Sequence, residues 1–435
     1  MTWQNWAGTV SAEPARRYWP RTVPAIADAI KDSAVAGLTV RALGSGHSFT
    51  PAAATAGTAL DLSGWTGVVS ADAETGLVTV RSGTTVRALN AALDTLGLAM
   101  PNLGDIDAQT ISGAISTGTH GTGARLGGLA AFVEGLELVL ADGSVVTCSA
   151  SERPELFAAA RVGLGAFGVI STVTLRCVAS FTLAADERPL PLEEVTERFG
   201  EFAADNDHFE FYWFPYGRFA LVKRNNRVIG DPAAETPAPM PAWRRFLEYE
   251  VMENAAFGML CRTGRAVPAL IKPLNRLAAA SLSKRSYSAP SHQVFVTSRR
   301  VRFVESEYAV PRETVLDVLA ELRTAVPRLR TPVMFPVEVR VAAADDAWLS
   351  TSYGRDSAYI AIHQYAGLPY QEYFGLFESI AATAGGRPHW GKMHTLAAGR
   401  LAELYPRFAD FVRVRDETDP EGRFTNPYLE QVLGR

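Results

Sequence analysis

Two glycine-rich segments constrain this chain more than anything else in it. The first, Arg41-Ala42-Leu43-Gly44-Ser45-Gly46-His47-Ser48-Phe49, follows a short apolar run, Leu38-Thr39-Val40, that reads as a strand. Two glycines one residue apart let the backbone turn tightly and gather its N–H groups, a concavity suited to a diphosphate. His47 comes directly after the second glycine, where its ring can lie beside whatever the loop holds. A nicotinamide-type fingerprint would need Gly-x-Gly-x-x-Gly opening a helix. Here the third position is Phe49 and Thr50-Pro51 follows, so no helix is expected inside the motif. On this loop alone, an ordinary turn is the competing reading.

The second segment runs from Pro101-Asn102-Leu103-Gly104-Asp105 through Ile111-Ser112-Gly113-Ala114-Ile115-Ser116-Thr117-Gly118-Thr119-His120-Gly121-Thr122-Gly123. Small residues and hydroxyls dominate it, so backbone can approach a flat polar ligand closely and donate several hydrogen bonds. Strand and helix alternate around both segments. Thr22-Val23-Pro24 opens a helix with a capping hydroxyl and an early proline; Ile26 and Ile30 share a face, and Gly37 ends it. Leu77–Arg81 reads as a strand, and Thr85 starts a helix whose Leu89, Leu93 and Leu96 make a stripe before Gly97. The alternation continues through Val133–Leu140 and Phe167–Leu175 to about residue 178, which predicts an α+β domain.

The chain has 435 residues, 47% of them hydrophobic, enough for two or three domains with real cores. A net charge of -4 and the lack of a basic run argue against nucleic acid as a partner. Cys148, Cys177 and Cys261 are odd in number and widely spaced, so neither a disulfide framework nor a metal site is expected. The N-terminal segment lacks the pattern of a signal peptide, and no stretch is long and apolar enough to span a bilayer. A cytoplasmic location is expected.

From about Ala179 the character changes, and residues 179–392 read as a second, substrate-binding (cap) domain. His208–Pro215 is an aromatic, strand-like run, and a Pro/Ala-rich connector covers Asp231–Pro241. Residues 242–285 then form a helix-prone insert. With its charges scattered, the insert reads as packed on the second domain, a membrane-surface or subunit contact being the lesser alternative. Val294–Val304 and Pro332–Val341 read as strands, with helices near Arg312–Arg323 and Tyr370–Thr383. Residues 393–435 are expected to return to the first domain, residues 1–178.

Val337-Glu338-Val339-Arg340-Val341 alternates with period two, so Glu338 and Arg340 share one strand face. A solvent-facing ion pair and a ligand-facing pair both fit that spacing. His363 lies in the alternating run Tyr359–Tyr365 and reads most simply as a structural histidine. Lys392 stands in Pro388-His389-Trp390-Gly391-Lys392 within an arginine-rich chain, a surface lysine being the plain alternative.

Taken together, Gly44-Ser45-Gly46-His47-Ser48, Asn102-Leu103-Gly104 and Ser116-Thr117-Gly118-Thr119-His120-Gly121 resemble the FAD-binding half of the vanillyl-alcohol-oxidase-type flavoproteins. With His389-Trp390-Gly391-Lys392, Tyr405-Pro406-Arg407-Phe408 and Asp419-Pro420-x-x-Arg423-Phe424-x-Asn426, the resemblance covers nearly the whole chain. It is to the aldonolactone oxidase branch, related to the alditol oxidases. The fold implied is α+β, a two-part FAD-binding domain with an α+β substrate domain. The histidine matching His47 is tethered to the flavin 8α carbon in such proteins, and no cysteine in the second loop offers another link. The resemblance also implies cofactor contacts from Ala42, Leu43, Gly44, Ser45, Gly46, Ser48, Pro101, Gly104, Asp105, Ser112, Gly113, Ser116, Gly118, Thr119, His120, Gly121, Ile170 and His389.

By the same resemblance Glu338 and Arg340 face the flavin, His363 borders the substrate, and Lys392 points at its hydroxyl. A desolvated lysine beside Arg340 is expected to have a lowered pKa and to take the proton. The substrate class implied is a sugar lactone, L-gulono- or D-arabinono-1,4-lactone. Its C2 hydroxyl would be oxidised with dioxygen or another acceptor taking the electrons, giving an ascorbate-like product. The aromatic run ending Trp213-Phe214-Pro215 favours this reading; an alditol oxidase is the alternative. Asp105 and Gln364-Tyr365, bulkier than the alditol pattern, count against a polyol site. Gly104, if it lies over the flavin C4a, would leave room for dioxygen.

Overall fold

Thr22 and Thr85 each accept a hydrogen bond from the backbone N–H three residues on and so cap helices Val23–Val35 and Val86–Thr95. Gly37 and Gly97 follow these helices with φ of +66° and +68°, the left-handed turn that glycine reaches without strain. The computed structural model describes residues 2–229 and 236–435. Its first part holds a parallel sheet in the order Arg16–Tyr18, Thr58–Asp61, Val40–Leu43. Beside it lies an antiparallel sheet in the order Val145–Ser149, Val133–Val139, Val169–Arg176, Leu77–Arg81, Val68–Asp72. The first glycine loop leaves the parallel sheet after Leu43. The second glycine segment contains a short helix, Ile111–Ser116, capped by the Thr110 hydroxyl.

The second part is one eight-stranded antiparallel sheet. Its order is Arg285–Pro290, Thr182–Pro191, Phe219–Arg227, His208–Trp213, Val337–Ala342, Ser357–Tyr365, Phe303–Pro311, Arg387–Pro388. Val337, Val339, Ile360 and Ile362 pack one face of it against Val318 and Leu322 of helix Val315–Ala325 and Phe377 of helix Gln371–Thr383. The pairing register puts charge on the other face. Arg285 stands opposite Glu187, Glu187 opposite Lys223, Lys223 opposite Glu210, and Glu210 opposite Arg340. Five neighbouring strands thus carry a row of alternating sign, in which each side chain offsets the desolvation of the next.

Leu401, Phe411 and Leu429 of the C-terminal helices join the same core as Val80, Leu89 and Ile115, and Val40 N–H donates to the Arg423 carbonyl. Helices Ala242–Arg245 and Phe257–Ala266 are joined through a wide-turned segment, Phe246–Ala256, and helix Ile271–Ala280 follows. Cys261 and Ile271 seat this insert on Met334, Phe335 and Leu368. All three cysteines are free and buried.

One expected strand is corrected. Val294–Val304 is not extended: Ser291–Phe295 is a short helix, and the strand begins only at Phe303 and runs to Pro311. The backbone of the intervening chain bonds to distant loops and not to a neighbouring strand: Thr297 N–H donates to the Asp105 carbonyl, Asn254 holds the Ser298 carbonyl and the Arg300 N–H, and Arg299 pairs with Asp105. Residues 231–235 of the Asp231–Pro241 connector lie outside the described residues.

Candidate active site

The N-terminal residues brace the first loop. Asn5 donates from Nδ2 to the Ser48 carbonyl (3.0 Å), and Trp6 N–H donates to the Gly46 carbonyl (2.8 Å). The Trp6 ring stacks near the His47 imidazole, centroids 5.8 Å apart, and burial lowers the His47 pKa. Gly46 holds φ at +71°. Among the described residues, the N–H groups of Gly44, Ser45, Gly46, His47 and Ser48 donate to no acceptor of the chain. Five consecutive uncommitted amides at an exposed turn fit a diphosphate.

Glycine is required where the other segments meet. A Cβ on Gly44 would stand 2.7 Å from Thr110 Oγ1, so the two glycine segments touch there. A Cβ on Gly121 would collide with the Leu103 carbonyl and the Asn102 side chain, and one on Gly104 would lie 2.9 Å from the His120 carbonyl. Chain packing therefore demands glycine at 104, whatever else that gap admits. The C-terminal motif closes the site: Phe49 N–H donates to the Gly391 carbonyl (2.7 Å) and the Thr50 hydroxyl to the Trp390 carbonyl (3.0 Å).

These segments and the polar sheet face enclose a cavity of about 350 Å³. At one end Arg340 is gripped by Asp105 (2.5 Å), Glu210 (2.8 Å) and Glu338 (2.5 Å). Arg299 pairs with Asp105 (2.7 Å) and Lys223 with Glu210 (3.5 Å), so three cations face three carboxylates. The carboxylates do not share this evenly. Burial raises Asp105 but Arg340 and Arg299 outweigh it, leaving its pKa below the usual range. Burial, with Asp105 and Glu210 adding to it, pushes Glu338 up to about 7 against the pull of Arg340. Glu338 Oε1 is close to the guanidinium but accepts no well-directed hydrogen bond and is left unsatisfied. Of the two readings that the spacing allowed, the solvent-facing ion pair is excluded, because Glu338 and Arg340 belong to a buried cluster that lines the cavity.

At the other end strand Phe303–Pro311 places Glu305 and Glu307 on one face. Glu305 pairs with Lys392 and lies 3.4 Å from His363 Nε2; Glu307 accepts from His120 Nε2 (3.0 Å). Burial works against charge on Lys392, but Glu305 and Glu307 more than compensate and raise its pKa. This overturns the expectation of a deprotonated lysine beside Arg340: its neighbours are carboxylates. Burial lowers His389 to about 3, and Gly391 N–H donates to its Nδ1 (3.0 Å), which makes it a neutral ring with the proton on Nε2. His120, Glu307 and His389 bring ligand atoms within 4.8 Å of one another, but these hydrogen bonds occupy much of their lone-pair capacity.

Of the residues singled out from sequence, His47, Ser48, Gly104, Asp105, Thr119, His120, Glu338, Arg340, His363, His389 and Lys392 line this cavity. Gly44 and Ser45 are exposed and do not line it, while Ser112 bonds to the Ser82 carbonyl. Ile170 sits within the five-stranded sheet opposite Leu138, and the Pro101 carbonyl accepts from Arg227. Glu210, Tyr212, Arg299, Glu305 and Glu307 escaped the sequence reading. A charged residue inside the run His-Phe-Glu-Phe-Tyr-Trp was the available signal for Glu210, and the alternation Val304–Tyr308 for the two glutamates.

A glycine-walled slot with free amides at one end and a charged cavity at the other suits a flat ring system that carries a diphosphate. Residues 14–149 match the FAD binding domain family, and FAD has that form, so the class is an FAD-dependent oxidoreductase. Residues 173–432 match the D-arabinono-1,4-lactone oxidase family. Over 432 residues the chain is 44% identical to L-gulono-1,4-lactone dehydrogenase of Mycobacterium tuberculosis, covering 99% of each. It is 33% identical to L-gulonolactone oxidase of Mus musculus, covering 100% of this chain and 98% of that one. Alditol oxidase of a Streptomyces species is 31% identical, with 99% and 98% covered. The chain belongs to the D-arabinono-1,4-lactone oxidase family. In fold it is similar to a solvent-stable cholesterol oxidase, with a TM-score of 0.84 at 20% identity over 100% of this chain and 97% of the other.

Proposed function

We propose that this protein oxidises the C2 hydroxyl of an aldono-1,4-lactone of the L-gulono or D-arabinono type, with FAD tethered through His47. The observation that carries this reading is the convergence of Glu338, Arg340 and Lys392 on one cavity beside the His47 loop. Bound FAD supplies the acceptor for the hydride that leaves C2. Lys392, held protonated by Glu305, donates a hydrogen bond to a substrate oxygen. Glu338 exchanges its proton near neutral pH and takes the one released by the hydroxyl. With Glu338 protonated, Arg340, Arg299 and Lys223 outnumber Asp105 and Glu210, and the excess positive charge stabilises negative charge developing in the cavity. The flavin would hand the electrons on to dioxygen, giving hydrogen peroxide, or to another acceptor.

Anaerobic bleaching of the flavin by L-gulono-1,4-lactone, D-arabinono-1,4-lactone and xylitol tests the substrate. Fast bleaching by a lactone is expected; brisk bleaching by xylitol with none by either lactone would transfer the protein to the polyol reading. For the tether, His47→Ala should release its flavin on acid precipitation while wild type keeps it. Flavin that stays attached in the variant would place the bond elsewhere.

A further inference from the structure

Eight of the sixteen large apolar side chains exposed among the described residues lie between Trp243 and Leu277, on the helical insert. Trp243 is 69% exposed, Phe246 63% and Met259 62%. Monomeric surfaces seldom concentrate apolar side chains in this way without a use. The insert's charge is equally unusual. Residues 242–285 hold eight basic and three acidic side chains, a net of +5 in a chain of net -4. Two of the acids reach the buried Arg285, Glu248 (3.7 Å) and Glu253 (2.8 Å), and the third, Glu250, pairs with Arg300 (2.9 Å). A groove of about 500 Å³ beside the insert is lined by Arg262, Arg265, Arg300 and Arg302, with Glu250 its one acid. Arg262, Arg265 and Arg302 pair with no carboxylate among the described residues.

We propose that the insert, residues 242–280, docks this protein on an anionic phospholipid surface. Trp243, Phe246 and Met259 enter the headgroup layer, and the arginine groove receives lipid phosphate. Apolar and aromatic side chains interleaved with unpaired arginines are what a helix lying in that layer needs. The sign of the charge selects the partner. Residues 242–280 hold six basic and three acidic side chains, so two copies of this face repel one another, whereas an anionic leaflet attracts it. No helix among the described residues is long and apolar enough to cross a membrane, so the attachment is peripheral. Phe257 and Leu260 of the same insert wall the active cavity, so docking brings that cavity to the lipid surface.

The test uses the full flavin-loaded protein and sedimenting vesicles, either pure phosphatidylcholine or equal parts phosphatidylcholine and phosphatidylglycerol. Pelleting at least tenfold stronger with the mixed vesicles is expected, weakening as salt is raised. The double variants Trp243→Ser/Phe246→Ser and Arg262→Glu/Arg265→Glu should each weaken it more than tenfold, since each basic residue near the surface contributes about fivefold. Melting temperature and anaerobic flavin reduction should match wild type in both, which separates lost docking from lost fold. Absence of pelleting with the mixed vesicles, or pelleting that both variants retain, would overturn the proposal. So would a light-scattering mass showing a dimer that the variants dissociate, because the face would then belong to a second copy.

Discussion

Glu338 and Lys392 face the same cavity with opposite electrostatic fortunes. Burial, helped by Asp105 and Glu210, pushes Glu338 up to about 7; Lys392, buried but facing Glu305 and Glu307, is pushed up as well, which for a lysine means it stays charged. In the proposed reaction the proton-accepting role therefore falls to the glutamate and not the lysine. Glu338→Gln should slow anaerobic flavin reduction by roughly 10²–10⁴-fold and abolish the rise in rate with pH centred near 7. An unchanged pH profile would remove Glu338 from that role. Glu305→Gln takes away the main charge that holds Lys392 protonated, so rate should fall at a lower alkaline pH than in wild type. A stopped-flow pH series on both variants measures the two shifts. Little of this was legible beforehand, because lysine pKa is set by neighbours, and Glu305 arrives from a strand whose start was misjudged.

At the scale of elements, the charge row across five strands is the feature that fixes the polar sheet face. Lys223 stands between Glu187 and Glu210, and Glu210 also holds Arg340. Lys223→Met would leave two buried carboxylates short of a counter-charge. A loss of about 3–5 kcal/mol in denaturant unfolding is expected, against near neutrality for an exposed pair such as Arg413–Glu417. Gly121→Ala should cost about 1–3 kcal/mol, read as a lower melting temperature, because the Leu103 carbonyl must move to admit the methyl. Capped helices and alternating strands were readable from the chain, since a threonine hydroxyl and a period of two act within a few residues. The start of strand Phe303–Pro311 was not, because the chain before it takes its hydrogen bonds from Asn254 and Asp105, both far away in sequence.

For the whole molecule, the buried carboxylates give a stability profile with a definite sign. Asp105, Glu305 and Glu307 are depressed in the fold, so the stability they contribute is present above their unfolded values near 4 and is lost as pH falls below them. Glu338 is raised, so its contribution is complete below about 4.5 and is lost as pH rises through about 7. Burial lowers His208, His389 and His394, so their contribution grows as pH rises toward 6.5 and opposes that decline. The Glu338 share is therefore read as a difference: in denaturant unfolding, Glu338→Gln should gain stability relative to wild type as pH rises from about 4.5 to about 7. By itself, the sequence determined the turn chemistry of both glycine segments, the capped helices, the shared face of Glu338 and Arg340, and the family. Those features depend on residues adjacent in the chain or two to four apart, where sterics and hydrogen bonding act directly. Only the tertiary structure decided which charges are buried together, that carboxylates surround Lys392, and that the insert turns Glu248 and Glu253 toward Arg285 while Arg262, Arg265 and Trp243 face out. Each of these arises where segments tens to hundreds of residues apart come within a few ångströms, and electrostatic energy in a desolvated interior depends on that distance and not on position along the chain.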